Sequence, residues 1–258
     1  MIGLYQPRQS VVHRLHPLTK LTLSFGLIVL ALGANIDWVP LVLYLLVLLP
    51  LSVVAQVARP FVRTSLRLLL PFAISLFIIQ SLFFPEGSTV IARLGPLSVK
   101  AEGVRFAFAS AVRILLLASA LLLTLQTTHP GQLLSGLVQK GFPPNLAYVI
   151  VTTLQIIPLM RERADTIIDA QRARGLETQG SLLVRSRALL PLIAPLVLGS
   201  LVDVEERTLA LEARAFSATT PKTSLFVLPD PLPERLLRWT VLALMVGIVG
   251  WRLAESLL

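Results

Sequence analysis

Apolar residues gather in five long runs that are separated by polar connections. Each run is close to the roughly 20 residues that an α-helix needs to cross the hydrocarbon core of a bilayer. The pattern predicts an all-α polytopic membrane protein with about five transmembrane helices and long cytoplasmic or interfacial helices between the fourth and the fifth. The predicted spans are Leu18–Ile36, Leu41–Ala58, Leu68–Phe84, Phe106–Leu125 and Leu236–Leu253.

The stretch between the fourth and fifth runs has a different pattern. Asn145 is predicted to cap a long helix that continues through Ala173, where Gly175 suits the helix end. A second helix is predicted from near Ser181 to Ala213. Both helices begin apolar and become charged, which indicates that each runs from the bilayer towards the cytoplasm.

Three regions follow from this pattern: residues 1–127 with four spans, a cytoplasmic or interfacial region at 128–233, and a last span at 234–258. The apolar part of the second long helix, Ala188–Val202, is short for a span and contains two prolines. It fits a tilted helix at the membrane interface or a helix packed inside the protein. It also fits a full span together with 145–160, which would raise the number of spans by two.

Two local features need separate interpretation. In the connection between the third and fourth runs, Val90–Leu94 and Leu97–Lys100 are predicted to pair as a small hairpin around Gly95-Pro96. The fourth run is interrupted only by Arg113. A charge inside a span is a candidate for function, but snorkelling to the interface or a buried helix contact explains Arg113 equally well.

Composition supports the membrane interpretation. Hydrophobic residues make up 55% of the 258 residues, charged residues only 14%, and the mean hydropathy is +0.78. Soluble domains carry about a quarter charged residues. In so apolar a chain the net charge of +9 indicates topology signals and contacts with anionic lipids or acidic partners, and argues against nucleic-acid binding.

The N-terminal segment indicates orientation. Arg14 and Lys20 precede or begin the first span, so the positive-inside rule predicts a multi-pass protein of the cytoplasmic membrane whose N-terminus is cytoplasmic. His13 and His16 are three residues apart, but without a third ligand nearby an interfacial role is favoured over metal binding. Pro17 is expected to begin a helix, because its missing N–H would be unpaired there anyway.

Catalytic motifs are absent from the sequence. There is no cysteine, Walker glycine loop, Gly-x-Ser-x-Gly or His-Glu-x-x-His pattern. The spans offer little polar machinery for an enzyme or for a carrier. The chain is therefore predicted to be a membrane coupler without catalytic residues, metal ligands or a cofactor of its own.

The two long helices of the middle region end in related triplets. Ala173-Arg174-Gly175 and Ala213-Arg214-Ala215 each place an arginine between two small residues. Small neighbours let a partner approach the backbone closely, and a guanidinium offers a rigid set of donors that suits carboxylates. Solvated basic helix ends, or arginines that face lipid phosphates, are the simpler interpretation. The duplication of the triplet inside a membrane protein favours docking.

Together these features resemble a known family. The N-terminal motif Ser10-x-x-His13-Arg14-Leu15-x-Pro17-x-Thr19-Lys20-Leu21, the four following spans and the two arginine triplets are similar to the transmembrane (T) component of energy-coupling factor transporters, the EcfT/CbiQ/BioN-type family. These transporters are vitamin and metal-ion importers of the ABC class in prokaryotes. The resemblance covers essentially the whole chain.

The resemblance implies partners and an indirect use of ATP. The chain would be a scaffold that docks two ABC ATPase subunits through its coupling helices and holds a small integral-membrane protein that binds the substrate. ATP would be bound and hydrolysed by the ATPase subunits and not by this chain. The main alternative is a self-contained secondary transporter or channel, which would need a polar path through the spans.

Site residues are carried over position by position. Ala173, Arg174 and Gly175 would contact one ATPase, and Ala213, Arg214 and Ala215 the other. Arg172 and Glu212 flank the triplets and would support them. Ala215 stands where the commonest family pattern has glycine, which weakens the expectation of a positive φ there.

Overall fold

The computed structural model describes residues 5–34, 36–84, 89–94, 97–175, 182–218 and 227–257, and most of these residues are helical. The elements, in chain order, are α1 (Val11–Arg14), α2 (Pro17–Gly33), α3 (Val39–Leu43), a π-helical segment (Tyr44–Leu48), α4 (Leu49–Val54), α5 (Ala58–Phe83), β1 (Val90–Leu94), β2 (Leu97–Lys100), α6 (Ala101–Thr127), α7 (Pro130–Gln139), α8 (Pro144–Ala173), α9 (Leu182–Ala213) and α10 (Leu232–Leu257).

The helices confirm the predicted class, an all-α polytopic membrane protein. Among the described residues, α5, α6 and α10 contain stretches long and apolar enough to cross a membrane. Two shorter apolar helical segments, Pro17–Gly33 and Val39–Val54, lie where the first two spans were predicted. The 17 residues of α2 are at the lower limit of the usual span length.

Contacts divide the chain into two compact units. We call residues 142–227, with α8 and α9, the helix-pair unit, and residues 3–141 with 228–258 the span unit. The predicted division at 127 and 233 remains a prediction.

In the span unit, α6 lies at the centre. Leu116 and Ala120 of α6 are fully buried and belong to one core with Phe61 of α5. Towards α2, the Ser24 hydroxyl donates to the Ala120 carbonyl at 3.1 Å. By contrast, α5 and α10 expose long apolar side chains, as lipid-facing helices do.

The second span contains a π-helical segment with an identifiable cause. Pro50 has no N–H to donate and its ring crowds the preceding turn. The Leu49 N–H instead reaches back five residues to the Tyr44 carbonyl. At the other end, Gln56 takes φ 59° and turns the chain into α5.

The third span begins earlier than its apolar run. The helix α5 starts at Ala58 and not near Leu68, so Arg59, Arg63 and Arg67 lie on the helix and not in a connection before it. Pro60 allows this early start because it falls in the first turn, where backbone N–H groups have no helical acceptor.

The predicted hairpin is confirmed. β1 and β2 are antiparallel, with Val90 opposite Lys100 and Leu94 opposite Leu97, and the register shifts between Val90 and Ala92. The shift is typical of a β-bulge.

In the helix-pair unit, both long helices form, with two differences from expectation. Asn145 does not cap α8, because the helix begins at Pro144 and its N-cap is Pro143. Proline suits the first helical position, and the helix therefore starts two residues earlier than predicted. The second helix, α9, is continuous over 32 residues and includes both prolines of its apolar part.

Candidate functional site

The first arginine triplet forms the C-terminal end of α8. Ala173 is the last helical residue, Arg174 is the C-cap, and Gly175 follows with φ 89°. The Gly175 N–H donates to the Arg172 carbonyl at 2.9 Å and the Arg174 N–H donates to the Gln171 carbonyl at 3.1 Å. A left-handed glycine directly after the C-cap is a common way to end a helix, so the prediction for Gly175 is confirmed.

The second triplet forms the same kind of end on α9. The Phe216 N–H donates to the Leu211 carbonyl at 3.0 Å, and the Ala215 N–H donates to the Glu212 carbonyl at 2.9 Å. These two bonds are those of a Schellman motif, in which Arg214 is the C-cap. Ala215 adopts φ 55°. The second triplet therefore has a positive φ like the first, although alanine in place of glycine had weakened that expectation.

All six triplet residues are exposed. The Schellman bonds use the last carbonyls of α9, while both arginine side chains start from the outermost turn of a helix. Of the supporting residues, Arg172 pairs with Asp169 at 3.3 Å and Glu212 is exposed. The backbone of each end is thus fixed while its surface is open to a partner.

The end of α9 lies beside the beginning of α8. The rings of Phe216 and Tyr148 are 5.2 Å apart between centroids and tilted by 53°. The helices also meet near their middles, where Arg163 binds Asp203. These two contacts together require α8 and α9 to run in opposite senses. The expectation that both helices run from the bilayer towards the cytoplasm therefore does not hold, because the two helices point in opposite directions.

The opposite sense separates the two arginines. Arg174 lies beyond the crossing at one side of the helix-pair unit, and Arg214 lies beyond it at the other side, two residues before the Phe216 that packs on Tyr148. The unit therefore presents two separate basic ends of the same construction. It can engage two copies of one surface, or two related surfaces, at the same time.

A second polar cluster, in the span unit, was missed in the sequence. The Arg238 guanidinium donates to both carboxylate oxygens of Asp230 at 2.7 and 2.8 Å and to the Thr19 hydroxyl at 2.9 Å. Glu234 accepts from the Thr19 hydroxyl at 3.0 Å and from the His16 backbone N–H at 2.8 Å. The cluster joins the beginnings of α2 and α10.

The electrostatics of this cluster follow from its partners. Lys140 donates to Asp230 at 2.8 Å. This hydrogen bond, with those from Arg238, lowers the pKa of Asp230 to about 2. Burial lowers the pKa of His16. One signal for the cluster is visible in the sequence: Asp230, Glu234 and Arg238 follow one another at intervals of four residues, a spacing that places side chains on one face of a helix.

Charged groups also enter the predicted spans. Lys20 is buried and donates to the Thr127 carbonyl at 2.8 Å and to the His13 carbonyl at 3.1 Å. The Nε of Arg113 is buried without a hydrogen-bond partner within the described ranges. Both charged groups thus lie inside the protein, and the partners of Lys20 are carbonyls at helix ends.

The N-terminal histidines have structural partners. The His13 ring is within hydrogen-bond distance of the Ser10 hydroxyl at 2.8 Å and of the Gln6 carbonyl at 3.0 Å. The Nδ1 of His16 accepts from the Leu18 N–H at 3.3 Å and so caps α2. Among the residues that the structure describes, no group of three histidine, aspartate or glutamate side chains is arranged to hold a metal ion.

Comparison with known proteins agrees with this architecture. The model of the CbiQ family, described as cobalt transport protein, matches residues 8–225, which include both triplets. The chain is 32% identical over 265 residues to the energy-coupling factor transporter transmembrane protein EcfT of Brevibacillus brevis, with 97% of each chain covered. The EcfT of Bacillus selenitireducens is 33% identical over 235 residues and 86% of each chain. The EcfT of Listeria innocua is 28% identical over 269 residues and 97% of each chain.

Proposed function

Because this chain belongs to the CbiQ family and is a transmembrane component of an energy-coupling factor transporter, we propose that it transmits ATP-driven motion from two ABC ATPase subunits to a small substrate-binding membrane protein. The observation that carries the proposal is the pair of matching exposed helix ends at Arg174 and Arg214. The ATPases bind and hydrolyse ATP, and this chain supplies no catalytic group.

Docking of the ATPases uses the two triplets. Arg174 and Arg214 bind carboxylates of the ATPase surfaces through charge-assisted hydrogen bonds, which are stronger than neutral ones. Ala173, Gly175, Ala213 and Ala215 keep the surrounding surface low enough for the partner to approach the backbone. Arg172 and Glu212, the residues directly before the two triplets, support these contacts.

The substrate-binding protein docks on apolar surface of the helix-pair unit. Both helices expose long apolar side chains in their apolar halves, and such surface marks a site for protein or membrane contact. Those on α8 are Leu146, Val149, Ile150, Leu154 and Ile157, and those on α9 include Ile193, Val197, Leu198, Leu201 and Val202. The transported substrate is a vitamin or a metal ion, and its identity is set by the partner.

Coupling follows from this arrangement. When the ATPase dimer closes on ATP, each arginine is pulled with the subunit that it binds. Because each triplet directly ends a helix, the displacement passes into α8 and α9, which carry it to the membrane partner. Both helix ends have to be bound, because with a single attachment only one of the two helices would move with the ATPase subunits.

The proposed orientation places the N-terminus and both triplets in the cytoplasm. The region between the fourth and fifth predicted spans, residues 126–235, contains 11 arginine and lysine residues, including Arg161, Arg163, Arg172 and Arg207. Excess arginine and lysine marks the cytoplasmic side. The ATPase subunits lie on the cytoplasmic side, so the triplets that bind them have to face that side too.

Uptake measurements test the proposal. Arg174→Glu and Arg214→Glu turn attraction to a carboxylate into repulsion, and burying a charge of the wrong sign at an interface costs several kcal/mol. We expect each variant to lose ATP-dependent uptake in cells that also contain the partner subunits. Arg161→Glu, an exposed arginine of the same helix outside the triplet, is the matched control. Unchanged uptake in both triplet variants would overturn the proposal.

A further inference from the structure

The crossing of α8 and α9 contains a bidentate ion pair. The Arg163 Nη1 donates to Asp203 Oδ2 at 2.5 Å and the Nη2 donates to Oδ1 at 3.1 Å. One turn earlier on both helices, the Ser200 hydroxyl lies 3.4 Å from the Met160 sulfur. The hydrogen bonds from Arg163 lower the pKa of Asp203, so the carboxylate stays charged near neutral pH.

The pair is equally distant from the two arginine ends. Arg163 precedes Arg174 by 11 residues, and Asp203 precedes Arg214 by 11 residues. At 1.5 Å per residue, each helix extends about 16 Å from the crossing to its arginine. The two helices run in opposite senses, so any change in their crossing angle moves the two arginines by similar amounts.

The contribution of this pair to fold stability is small. The side chains of Arg163 and Asp203 are 36% and 29% exposed, and exposed ion pairs stabilise proteins little. A bidentate pair fixes the relative orientation of its two groups, however, because both hydrogen bonds must be satisfied together. The ion pair therefore restrains the crossing angle of α8 and α9 more than it contributes to the free energy of unfolding.

Apolar packing beside the pair leaves an open cleft. A cleft of about 380 Å³ lies next to Arg163 and is lined by Leu159, Ile167, Pro195 and Leu196. Dense packing would resist a change of angle, but side chains around a cleft have room to move. The bidentate ion pair is therefore the stronger directional restraint at the crossing, beside the weak contact of Ser200 with the Met160 sulfur.

We propose that Arg163 and Asp203 are positioning residues that hold α8 and α9 together at their crossing, so that a displacement of either arginine end is passed through the crossing to both helices. The proposal rests on the proposed coupling function for its consequence in transport. Its geometric part, a well-defined separation of the two helix ends in the free chain, depends only on the chain itself.

The geometric part is tested by a distance measurement. The chain has no cysteine, so spin labels can be placed at Ala170→Cys and Ala210→Cys. Both alanines are exposed and lie seven residues beyond the pair. Pulsed electron paramagnetic resonance on the full chain is expected to give one narrow distance distribution. In Arg163→Asp the distribution broadens or shifts, and in Arg163→Asp/Asp203→Arg it becomes narrow again.

Matched controls are available on the same helices. Arg161→Ala and Glu205→Ala each remove an exposed charge two residues from the pair, and we expect both to keep the wild-type distribution. Arg163→Lys keeps the charge but not the planar fork, so an intermediate width is expected. A wild-type distribution in Arg163→Asp would overturn the proposal.

Transport separates this proposal from the proposed docking function. Arg163→Asp should keep the ATPase subunits bound while uptake falls about tenfold, a factor within the usual range for coupling between two sites. The charge-swapped double variant should recover uptake. Loss of the ATPases from Arg163→Asp would contradict a positioning role. If wild type binds no ATPase, the docking function fails while the distance measurement still decides the role of the pair.

Discussion

Ala215 adopts a backbone conformation that costs alanine about 1–2 kcal/mol. The surroundings explain why it persists. Two hydrogen bonds across the helix end, from Ala215 and Phe216, require this conformation, and the Phe216 ring packs against Tyr148. The strain is therefore held by contacts on both sides of the residue, beside an arginine that we propose to be functional.

Glycine at this position should strengthen the helix end. Ala215→Gly removes the penalty for positive φ, so we expect a local stabilisation of about 1 kcal/mol, or roughly fivefold slower amide exchange at Ala215 and Phe216. Gly175→Ala should have the opposite effect on α8 with no steric clash, since an added Cβ there meets nothing within 4 Å. Faster exchange in Ala215→Gly would contradict this account of the helix end.

The Asp230 cluster predicts a pH dependence of stability. The pKa of Asp230 is lowered to about 2 by Lys140 and Arg238. A carboxyl with a lowered folded-state pKa stabilises the fold above its unfolded value, near 3.9, and loses that contribution as pH falls towards 2. Thermal unfolding in detergent should show Asp230→Asn less stable than wild type near neutral pH, with the difference shrinking between about pH 4 and pH 2.

The control for that experiment removes Lys140, the group that lowers the pKa of Asp230 most. In Lys140→Met the pKa of Asp230 should rise towards its unfolded value, so the loss of stability between about pH 4 and pH 2 should be smaller than in wild type. A difference between wild type and Asp230→Asn that stays constant from pH 4 to pH 2 would show that the cluster does not act through this carboxylate.

The helix pair depends on a few contacts between elements. Tyr148 and Phe216 join the start of α8 to the end of α9, and Arg163 and Asp203 join their middles. Both helices otherwise expose much apolar surface in their described parts. Each of the two contacts can therefore be removed by mutation while the other stays in place.

Loss of the aromatic contact should loosen only one of the two ends. Aromatic pairs contribute about 0.5–1.5 kcal/mol beyond burial, so in Phe216→Ala we expect trypsin to cleave after Arg214 roughly fivefold faster. Cleavage after Arg174 should stay at the wild-type rate, which makes that site an internal control. Equal acceleration at both arginines would mean that the contact stabilises the whole unit.

Prediction from sequence succeeded where the signal was local. The hairpin, the start of α2 at Pro17 and the helix end at Gly175 depend on turn and cap residues, whose preferences act within a few positions. The start of α8 was missed by two residues because Asn145 suits an N-cap and Pro144 suits the first helical position.

Features that depend on residues distant in the chain were not predicted. The bonds of Arg238 to Thr19 join residues 219 positions apart, and no periodicity reports such a contact. The antiparallel sense of α8 and α9 was predicted wrongly for the same reason, since hydropathy describes each helix alone. The positive φ of Ala215 was in doubt because alanine disfavours it, and the hydrogen bonds around the residue outweigh that preference.

At the scale of the whole molecule, the family match and the apolar helices both indicate a membrane protein. The chain belongs to the CbiQ family and contains apolar helices suited to membrane spans. Its two compact units differ in character, one built around buried α6 and the other a pair of long helices that end in exposed arginines. A component of this form is suited to link membrane and cytoplasmic partners.

The proposed orientation can be tested because the chain has no cysteine. Val90→Cys in β1 and Ser217→Cys after α9 place single thiols at exposed positions. With both triplets in the cytoplasm, a membrane-impermeant maleimide should label Val90→Cys in intact cells and Ser217→Cys only after permeabilisation. The reverse pattern would invert the topology.

The central claim is that the two arginine ends hold the ATPase subunits. The most direct measurement purifies the tagged chain from its own host in mild detergent and identifies the proteins that accompany it, for wild type and for Arg174→Glu/Arg214→Glu. We expect ATPase subunits and a small apolar membrane protein with wild type, and loss of the ATPases from the double variant. ATPase subunits that remain bound to the double variant, or a wild-type chain that purifies alone, would contradict the claim.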